Sequence, residues 1–244
     1  MYISVTKVPL KELGTLRSEF LSELDAQFTY DKCHLAGWAD TYLFVVDGQT
    51  AGYGSVWGEN KREDRDCIFE YYLRPGFREF SHEIFAKFIE ISGVSMIVSQ
   101  SNDPFLSEVF FEFATDINAD AILFEDDFES DLTIGDITIE NRASDYKYDR
   151  PYVLLCRNEV VATGGLLLNY NFPYADVYYG VEEPHRRKGY GSYFVQALKK
   201  AAYNMGRVPA ARTNIGNIIS KRTMMKAGLK PCGWRMRGQV KKNS

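Results

Sequence analysis

Eleven residues decide the fold of this chain: Val181-Glu182-Glu183-Pro184-His185-Arg186-Arg187-Lys188-Gly189-Tyr190-Gly191. An apolar segment, residues 177–181, leads into them, and the apolar residues that follow recur at the spacing of a helix. Cations before Gly-x-Gly at a strand-to-helix junction are typical of a phosphate-binding loop, because glycine lets the backbone approach the ligand and the first-turn N–H groups point at it. The stretch therefore predicts a site for a phosphate-bearing ligand.

The residues after this loop predict two helices and two strands. Gly206 and Gly228 follow the helical patterns, as glycine does at helix C-termini. Lys199 and Lys200 fall off the apolar stripe of the first helix, so we expect them away from the core. The last strand is predicted at the edge of the sheet. In chain order the predicted elements are helix Ser192–Met205, strand Val208–Thr213, helix Asn217–Ala227 and strand Trp234–Val240.

The first half of the chain contains a copy of this arrangement, 110 residues earlier. Strand, Asp-Gly turn and strand at residues 42–57 match strand, turn and strand at residues 152–168. The same separation places Glu79 and Ser81 where Gly189 and Gly191 stand in the second copy. A carboxylate there would repel phosphate, and the missing glycines would hold the ligand off the backbone. We expect the first copy to have lost phosphate binding.

Periodicity assigns the remaining segments. The acidic run Glu125–Asp131 is interpreted as a solvated linker, with attraction of a cationic substrate as the alternative. Predicted helices are Val8–Leu24, part of 30–39, His82–Ile91 and Pro104–Ala114, and predicted strands are Cys67–Leu73, Val94–Ser99 and Leu132–Asn141.

Composition and charge limit the class of protein. With 45% hydrophobic and 25% charged residues the chain is of ordinary globular composition, and no apolar run approaches the ~20 residues of a membrane span. Scattered cysteines without a Cys-x-x-Cys pair favour reduced thiols over a metal site or disulfides, and the first residues lack the layout of a signal peptide, which together predict the cytoplasm. Residues 1–131 hold 10 Lys and Arg against 25 Asp and Glu, whereas residues 132–244 hold 19 against 8.

Two segments together carry a resemblance to a known family. Arg186-Arg187-Lys188-Gly189-Tyr190-Gly191 fits the pattern Arg/Gln-x-x-Gly-x-Gly/Ala, which is the phosphate loop of the GNAT superfamily, the acetyl-CoA-dependent N-acetyltransferases. The later helix of that family begins near an Asn and ends in a Lys-x-Gly-Phe-like tetrad. Asn217 and Lys226-Ala227-Gly228-Leu229 resemble these, with leucine for phenylalanine. The resemblance is specific over 152–237, and the chain as a whole resembles a tandem GNAT protein.

The resemblance implies a fold and a domain organisation. The fold class is α/β (α+β), with two GNAT-like domains that are each a mixed, mostly antiparallel twisted sheet flanked by helices. Residues 1–131 would form a degenerate, non-catalytic domain that provides one wall of the acceptor site. Residues 132–244 would form the acetyl-CoA-binding domain.

The resemblance also implies the cofactor contacts. Acetyl-CoA is the expected cosubstrate, with no metal. The backbone N–H groups of the loop would hold its pyrophosphate, the strand that ends at Val181 would pair with the pantetheine arm and supply an oxyanion donor, and Asn217 would contact that arm. The expected cofactor-binding residues are Val181, Arg186, Arg187, Lys188, Gly189, Tyr190, Gly191, Ser192, Asn217 and Ser220.

The implied reaction is direct attack of an amine on the thioester, which needs a base, an oxyanion donor and an acid for the leaving thiolate. Asp176 is the candidate base, or Tyr178 and Tyr179 through water, and each is equally an ordinary strand residue. In many relatives a tyrosine four residues before the helix-ending glycine acts as the general acid. This chain has Met224 at that position.

The expected acceptor is a small cationic amine, because the first half of the chain is acidic. The alternative is a non-catalytic acetyl-CoA-binding or sensing module. Nucleic acid and membrane are not expected partners, and a monomer and a homodimer both stay open.

Overall fold

The structure, a computed structural model, describes residues 1–29, 31–142 and 150–241. The chain divides into two compact units, of which unit 1 comprises Met1–Asp120 with Gly233–Ser244, and unit 2 comprises Ala121–Cys232. The predicted architecture of mostly antiparallel sheet with flanking helices is confirmed. No helix in the described ranges is long and apolar enough to cross a membrane.

The helices and strands of the described ranges follow in chain order. They are β1 (Ile3–Val8), α1 (Leu16–Glu23), α2 (Asp31–Leu35), β2 (Ala39–Val46), β3 (Gln49–Trp57), β4 (Cys67–Leu73), α3 (Ser81–Ser92), β5 (Met96–Gln100), α4 (Pro104–Phe113), β6 (Ala114–Asp126), β7 (Ile137–Asn141), β8 (Tyr152–Cys156), β9 (Glu159–Leu167), β10 (Tyr174–Val181), α5 (Tyr190–Asn204), β11 (Val208–Asn214), α6 (Ile218–Lys226) and β12 (Leu229–Val240). Short 3-10 turns lie at Leu10–Leu13, Pro75–Phe80 and Glu183–His185.

Unit 1 has the strand order β1-β2-β3-β4-β5-β12-β6, in which β4 and β5 are parallel. Its core lies between the sheet and helices α3 and α4, where the tilted rings of Phe44 and Phe88 are in contact with centroids 5.1 Å apart. Unit 2 has the order β6-β11-β10-β9-β8-β7, in which β10 and β11 are parallel. There Phe194, Leu198 and Met224 of the helices pack on the strands.

The C-terminal strand β12 is not at an edge, so this prediction is wrong. Residues from Arg235 onward pair antiparallel with β5, and β6 lies on the other side of β12. Arg235 and Arg237 also bind the carboxylate of Asp120, and Arg237 lies 2.7 Å from Glu59. The predicted boundary, 1–131 and 132–244, therefore differs from the division into units, because the last residues complete the sheet of unit 1.

Several local predictions differ from the structure for local reasons. The helix predicted over Val8–Leu24 is a 3-10 turn followed by α1, because Gly14 takes a left-handed φ of 57° between them. The strand predicted over Leu132–Asn141 begins only at Ile137. Of the helix predicted within 30–39 only Asp31–Leu35 is helical, and residue 30 lies outside the described residues.

The two units repeat each other with a change of register that the sequence comparison missed. Gly54 of β3 pairs with Tyr71 of β4, whereas Gly164 of β9 pairs with Tyr179 of β10. The hairpins are thus related by 110 residues and the following strands by 108. With the offset of 108, Gly189 aligns with Ser81 rather than with Glu79. By its place immediately before the helix, Gly189 corresponds to Phe80.

The acidic run is solvated in part, with Asp127, Phe128, Glu129 and Asp131 exposed, but it is not a free linker. Asp127 and Phe128 donate their N–H groups to the carbonyl of Gly228, and Lys199 binds the carboxylate of Asp126 at 2.8 Å. Lys199 is only 2% exposed, contrary to prediction, and donates to the carbonyls of Phe128, Ala227 and Gly228. A Cβ on Gly228 would lie 2.0 Å from the carbonyl oxygen of Phe128, so this glycine permits the contact. The run is a docked part of unit 2.

Candidate functional site

The parallel strands β10 and β11 are paired over three residues only, and the opening between them is the centre of the site. Pairing stops at Asp176 and Ala210. Residues 177–181 then pair with β9 alone, and residues 211–214 with β6 alone. In the described part of the chain, the edge of β10 that faces β11 has no partner strand over these residues. An extended ligand can pair with such an edge.

The predicted phosphate loop lies at the C-terminal end of β10. Within the described ranges, the backbone N–H groups of residues 187–192 have no acceptor in the protein. Arg187 and Gly189 take left-handed φ angles of 63° and 87°, and alternating backbone of this kind forms concavities that bind anions. Helix α5 begins at Tyr190 without a side-chain cap, so its positive end is open to a ligand. The loop has the geometry of an anion site.

The cations of the loop have different roles. Arg186 donates through Nε to the carbonyl of Val181 at 3.2 Å, which fastens the loop to the end of β10. Arg187 and Lys188 are exposed and have no ion-pair partner among the described residues. His185 binds Glu159 at 3.1 Å, which holds it away from the opening. Arg187 and Lys188 are therefore the cations available to an anion.

Helix α6 closes the other side of the opening. The side chain of Asn217 accepts the N–H of Ser220 at 3.0 Å and so caps α6. The hydroxyls of Ser220 and Tyr179 lie 3.4 Å apart, which brings β10 and α6 together. A Cβ on Gly191 would lie 3.2 Å from Thr223 and 3.4 Å from Tyr179, so a larger residue would crowd the first turn of α5. Sequence reasoning missed Thr223, whose only signal is its place three residues after Ser220 on α6.

Of the predicted cofactor residues, the structure brings together the loop and the starts of both helices. Val181 ends β10, and Ser192 is buried, so only its backbone N–H can serve a ligand. Tyr190 donates to the sulfur of Cys156 at 3.3 Å and packs near His185, so its side chain supports the loop from below. These residues stay predictions as ligand contacts, since the structure gives only their positions.

Strand alternation separates the catalytic candidates onto two faces of the sheet. Tyr179, like Val177 and Val181, packs on the helix face of unit 2. Asp176 and Tyr178 share the opposite face. Asp176 is 4% exposed, and its carboxylate lies 3.7 Å from the guanidinium of Arg212. Met224 is 3% exposed and belongs to the core, so its side chain does not line the opening.

The equivalent loop of unit 1 has no free cradle. Residues Pro75–Phe80 form a 3-10 turn that leads directly into α3. The backbone N–H groups of this turn therefore donate to nearby backbone carbonyls and not to a ligand. Arg74 binds Glu19 at 2.7 Å, and Arg78 binds Glu23 at 2.5 Å. Both cations are therefore neutralised within unit 1. These contacts agree with the predicted loss of phosphate binding, for reasons other than the predicted Glu79 and Ser81.

In unit 1, a cluster of polar side chains fills the face of the sheet that corresponds to the face of Asp176 and Tyr178 in unit 2. Glu70 of β4 has the register position of Tyr178 in β10. The Glu70 carboxylate accepts from Ser55 at 2.9 Å and His34 at 2.8 Å, and pairs with Arg17 at 3.2 Å. Burial alone would raise the pKa of Glu70, but His34 and Arg17 outweigh it and lower the pKa to about 2. The side chains of Glu70, His34 and Arg17 therefore occupy this face of unit 1.

Replacement Glu70→Gln is expected to destabilise unit 1 at neutral pH. Because the folded pKa is below the unfolded one, the stability due to this carboxylate is complete above about pH 4.5 and is lost as pH falls towards 2. The difference between wild type and variant in urea midpoint should therefore shrink over that range. Tryptophan fluorescence measures it, since Trp38, Trp57 and Trp234 all belong to unit 1. The exposed Glu79→Gln is the control, and a pH-independent difference would contradict the argument.

In the described ranges no group of His, Cys, Asp and Glu side chains could hold a metal ion.

Comparison with known proteins gives the family of both halves. Residues 9–127 match a profile described as acetyltransferase (GNAT) domain, and residues 118–228 match the profile of the acetyltransferase (GNAT) family. No curated protein sequence gives a significant match to the chain.

Three solved structures share the fold over the whole chain. A GNAT-family acetyltransferase from Colwellia psychrerythraea has a TM-score of 0.77 at 16% identity, with 99% of this chain and 100% of that chain covered. A tandem GNAT protein from the clavulanic acid biosynthesis pathway has a TM-score of 0.65 at 9% identity, with 100% of both covered. A GCN5-related N-acetyltransferase from Sphaerobacter thermophilus has a TM-score of 0.61 at 12% identity, with 99% and 97% covered. At these identities the likeness concerns the fold alone.

Proposed function

The chain belongs to the GNAT superfamily of acetyltransferases, as two GNAT domains in tandem, and from this premise we propose that unit 2 transfers the acetyl group of acetyl-CoA to a primary amine. Acetyl transfer is the activity that this family and fold support in general. The observation that carries the proposal is the loop at 187–192, whose N–H groups have no acceptor in the described part of the protein. Unit 1 offers no comparable loop.

The loop suits the pyrophosphate of CoA. Its N–H groups and the start of α5 stabilise negative charge, and Arg187 and Lys188 add positive charge without an ion pair to break first. Gly189 has the left-handed φ that this turn needs, and its surroundings leave a ligand room, since a Cβ there would meet only Ile134 at 3.5 Å. A diphosphate is the ligand that this combination fits best.

The open edge of β10 suits the pantetheine arm. That arm carries amide groups, which can hydrogen-bond with residues 177–181 as an added strand would. The cap formed by Asn217 orients the start of α6 towards the same opening. The loop and edge are continuous at Val181, so a single extended molecule can use both.

Acetyl-CoA supplies an acetyl group activated as a thioester, and the residues of unit 2 have three tasks. They hold the acyl group at the edge of β10, stabilise the negative charge that develops on its oxygen, and direct the amine. A backbone N–H of residues 177–181 is the proposed oxyanion donor. The face of Asp176 and Tyr178 is the proposed side of approach for the amine, and Asp176 is retained as the candidate base.

A small cationic amine is the proposed acceptor on grounds of charge. Residues 1–131 carry 25 acidic against 10 basic side chains, and such a field raises the local concentration of cations.

The proposed function predicts thiol release from acetyl-CoA in the presence of the right amine. We expect release with at least one of spermidine, lysine, glucosamine, kanamycin and a tripeptide, and the fastest rate with a polycation. Thiol release is measured with a colorimetric reagent, and mass spectrometry locates the acetyl group on nitrogen. Tight binding of acetyl-CoA without turnover of any amine would instead favour the sensing module.

A further inference from the structure

A hydroxyl of β10 lies against α6, beside the open edge to which the proposed function assigns the thioester. Aminolysis of a thioester releases sulfur with an electron pair, and a positioned acid lowers the barrier for that step. Met224 has no proton to give, and it is buried in the core. The site therefore needs a donor from another element. This question rests on the proposed function.

Tyr179 meets the geometric requirements. Its side chain lies on the helix face of β10, within the segment 177–181 whose edge is open. Its hydroxyl lies 3.4 Å from that of Ser220, and its ring would lie 3.4 Å from a Cβ on Gly191. The hydroxyl is therefore placed between the starts of α5 and α6. Ser220 is one turn before Met224 on α6, so both residues lie on the same side of that helix. The phenol of Tyr179 thus contacts the side of α6 on which Met224 offers no polar group.

The other proton donors near the loop are less well placed. Tyr178 is on the opposite face of the sheet, where its hydroxyl lies close to Gly165. His185 is bound to Glu159 behind the loop. Tyr190 donates to Cys156, which directs its hydroxyl away from the opening.

We propose that Tyr179 is the catalytic acid that protonates the departing sulfur of CoA, with Ser220 as its hydrogen-bond partner. The acceptor nitrogen forms a bond to the acetyl carbon, the carbon–sulfur bond breaks, and its electron pair goes to sulfur. Sulfur takes the proton of the Tyr179 hydroxyl and leaves as the thiol. The tyrosinate regains a proton from solvent through Ser220, and the acceptor nitrogen loses its proton to solvent or base. The role of Tyr179 thus differs from that of a base, which must lie on the side of the amine.

Free CoA provides a test that needs no acceptor. A phenol that donates to sulfur stabilises the thiolate, so the pKa of the thiol of bound CoA should be about one unit lower in wild type than in Tyr179→Phe. The ultraviolet absorbance of the thiolate, titrated with CoA saturating, measures this pKa. The charged groups of the two helix starts, Arg187, Lys188, Lys221 and Arg222, are present in both proteins, so the difference isolates the hydroxyl. Tyr193→Phe on α5 is the matched control, and it should titrate as wild type does.

Turnover provides a second readout. Tyr179→Phe keeps the ring against Gly191, so the dissociation constant of acetyl-CoA should change by less than about twofold while kcat falls by about 100-fold, a typical effect of a lost general acid. The amine of the panel with the fastest release serves as acceptor. An unchanged thiol pKa in Tyr179→Phe overturns the inference and leaves the proposed function intact. Failure of the wild type to bind CoA overturns both.

Discussion

Gly189→Glu is expected to raise the dissociation constant of acetyl-CoA by about 100-fold or more, which corresponds to about 3 kcal/mol. Two effects add. A residue with a Cβ is strained at the φ of 87° that Gly189 adopts, and a carboxylate replaces part of the positive potential at the start of α5. Isothermal titration calorimetry with acetyl-CoA measures the change.

The two units supply a matched control for this variant. Gly76 lies in the corresponding loop of unit 1, where a Cβ would meet nothing within 4 Å. Gly76→Glu should therefore bind acetyl-CoA as the wild type does. Equal loss in both variants would mean that the loop of unit 1 also contributes to binding, and equal retention would remove the loop of unit 2 from the site. Circular dichroism of each variant confirms that it is folded.

Lys199→Met is expected to destabilise unit 2 by about 3 kcal/mol. The side chain lies 2.7 Å from the carbonyl of Phe128, 2.6 Å from that of Gly228 and 2.8 Å from the carboxylate of Asp126. Methionine fills similar volume but takes the ammonium donor from the carbonyl of Phe128 and the positive charge from Asp126, in a position where Lys199 is buried. Losing a buried charged donor costs free energy. The urea midpoint followed by far-ultraviolet circular dichroism measures the loss.

Lys200→Met on the same helix is the control, because Lys200 is exposed. It should change the free energy of unfolding by less than about 0.5 kcal/mol. Tryptophan fluorescence monitors unit 1 in the same samples, since all three tryptophans belong to that unit. A Lys199 variant as stable as the Lys200 variant would show that the contacts of the Lys199 ammonium do not stabilise unit 2.

The strand and helix on either side of the predicted phosphate loop illustrate what sequence patterns predict well. A strand, three cations, Gly-x-Gly and a helical stripe lie within thirty residues of each other, so their geometry follows from local backbone preferences. The start of α6 at Asn217 and its end before Gly228 were predictable for the same reason, because caps act within one helical turn. The hairpins around Asp47-Gly48 and Arg157-Asn158 were also local features.

The positions of charged side chains were much less predictable. Periodicity places Lys199 away from the core, but its ammonium is buried against Asp126 and the carbonyl of Phe128, more than seventy residues earlier in the sequence. Periodicity describes one helix or strand at a time. It gives no information about a partner residue that lies far away in the sequence. The same limit explains the register error, since an offset that holds for one hairpin need not hold for the next strand.

By itself, the sequence determined the family and the strand, turn and helices around the predicted phosphate loop, because each depends on residues that are neighbours along the chain. Only the tertiary structure decided that the last strand completes unit 1, that β10 and β11 open after Asp176, and that the face of β10 with Tyr179 is the one on which the helices pack. These depend on which distant segments pair and where pairing stops, and hydrogen bonding between strands is set by the packing of the whole sheet.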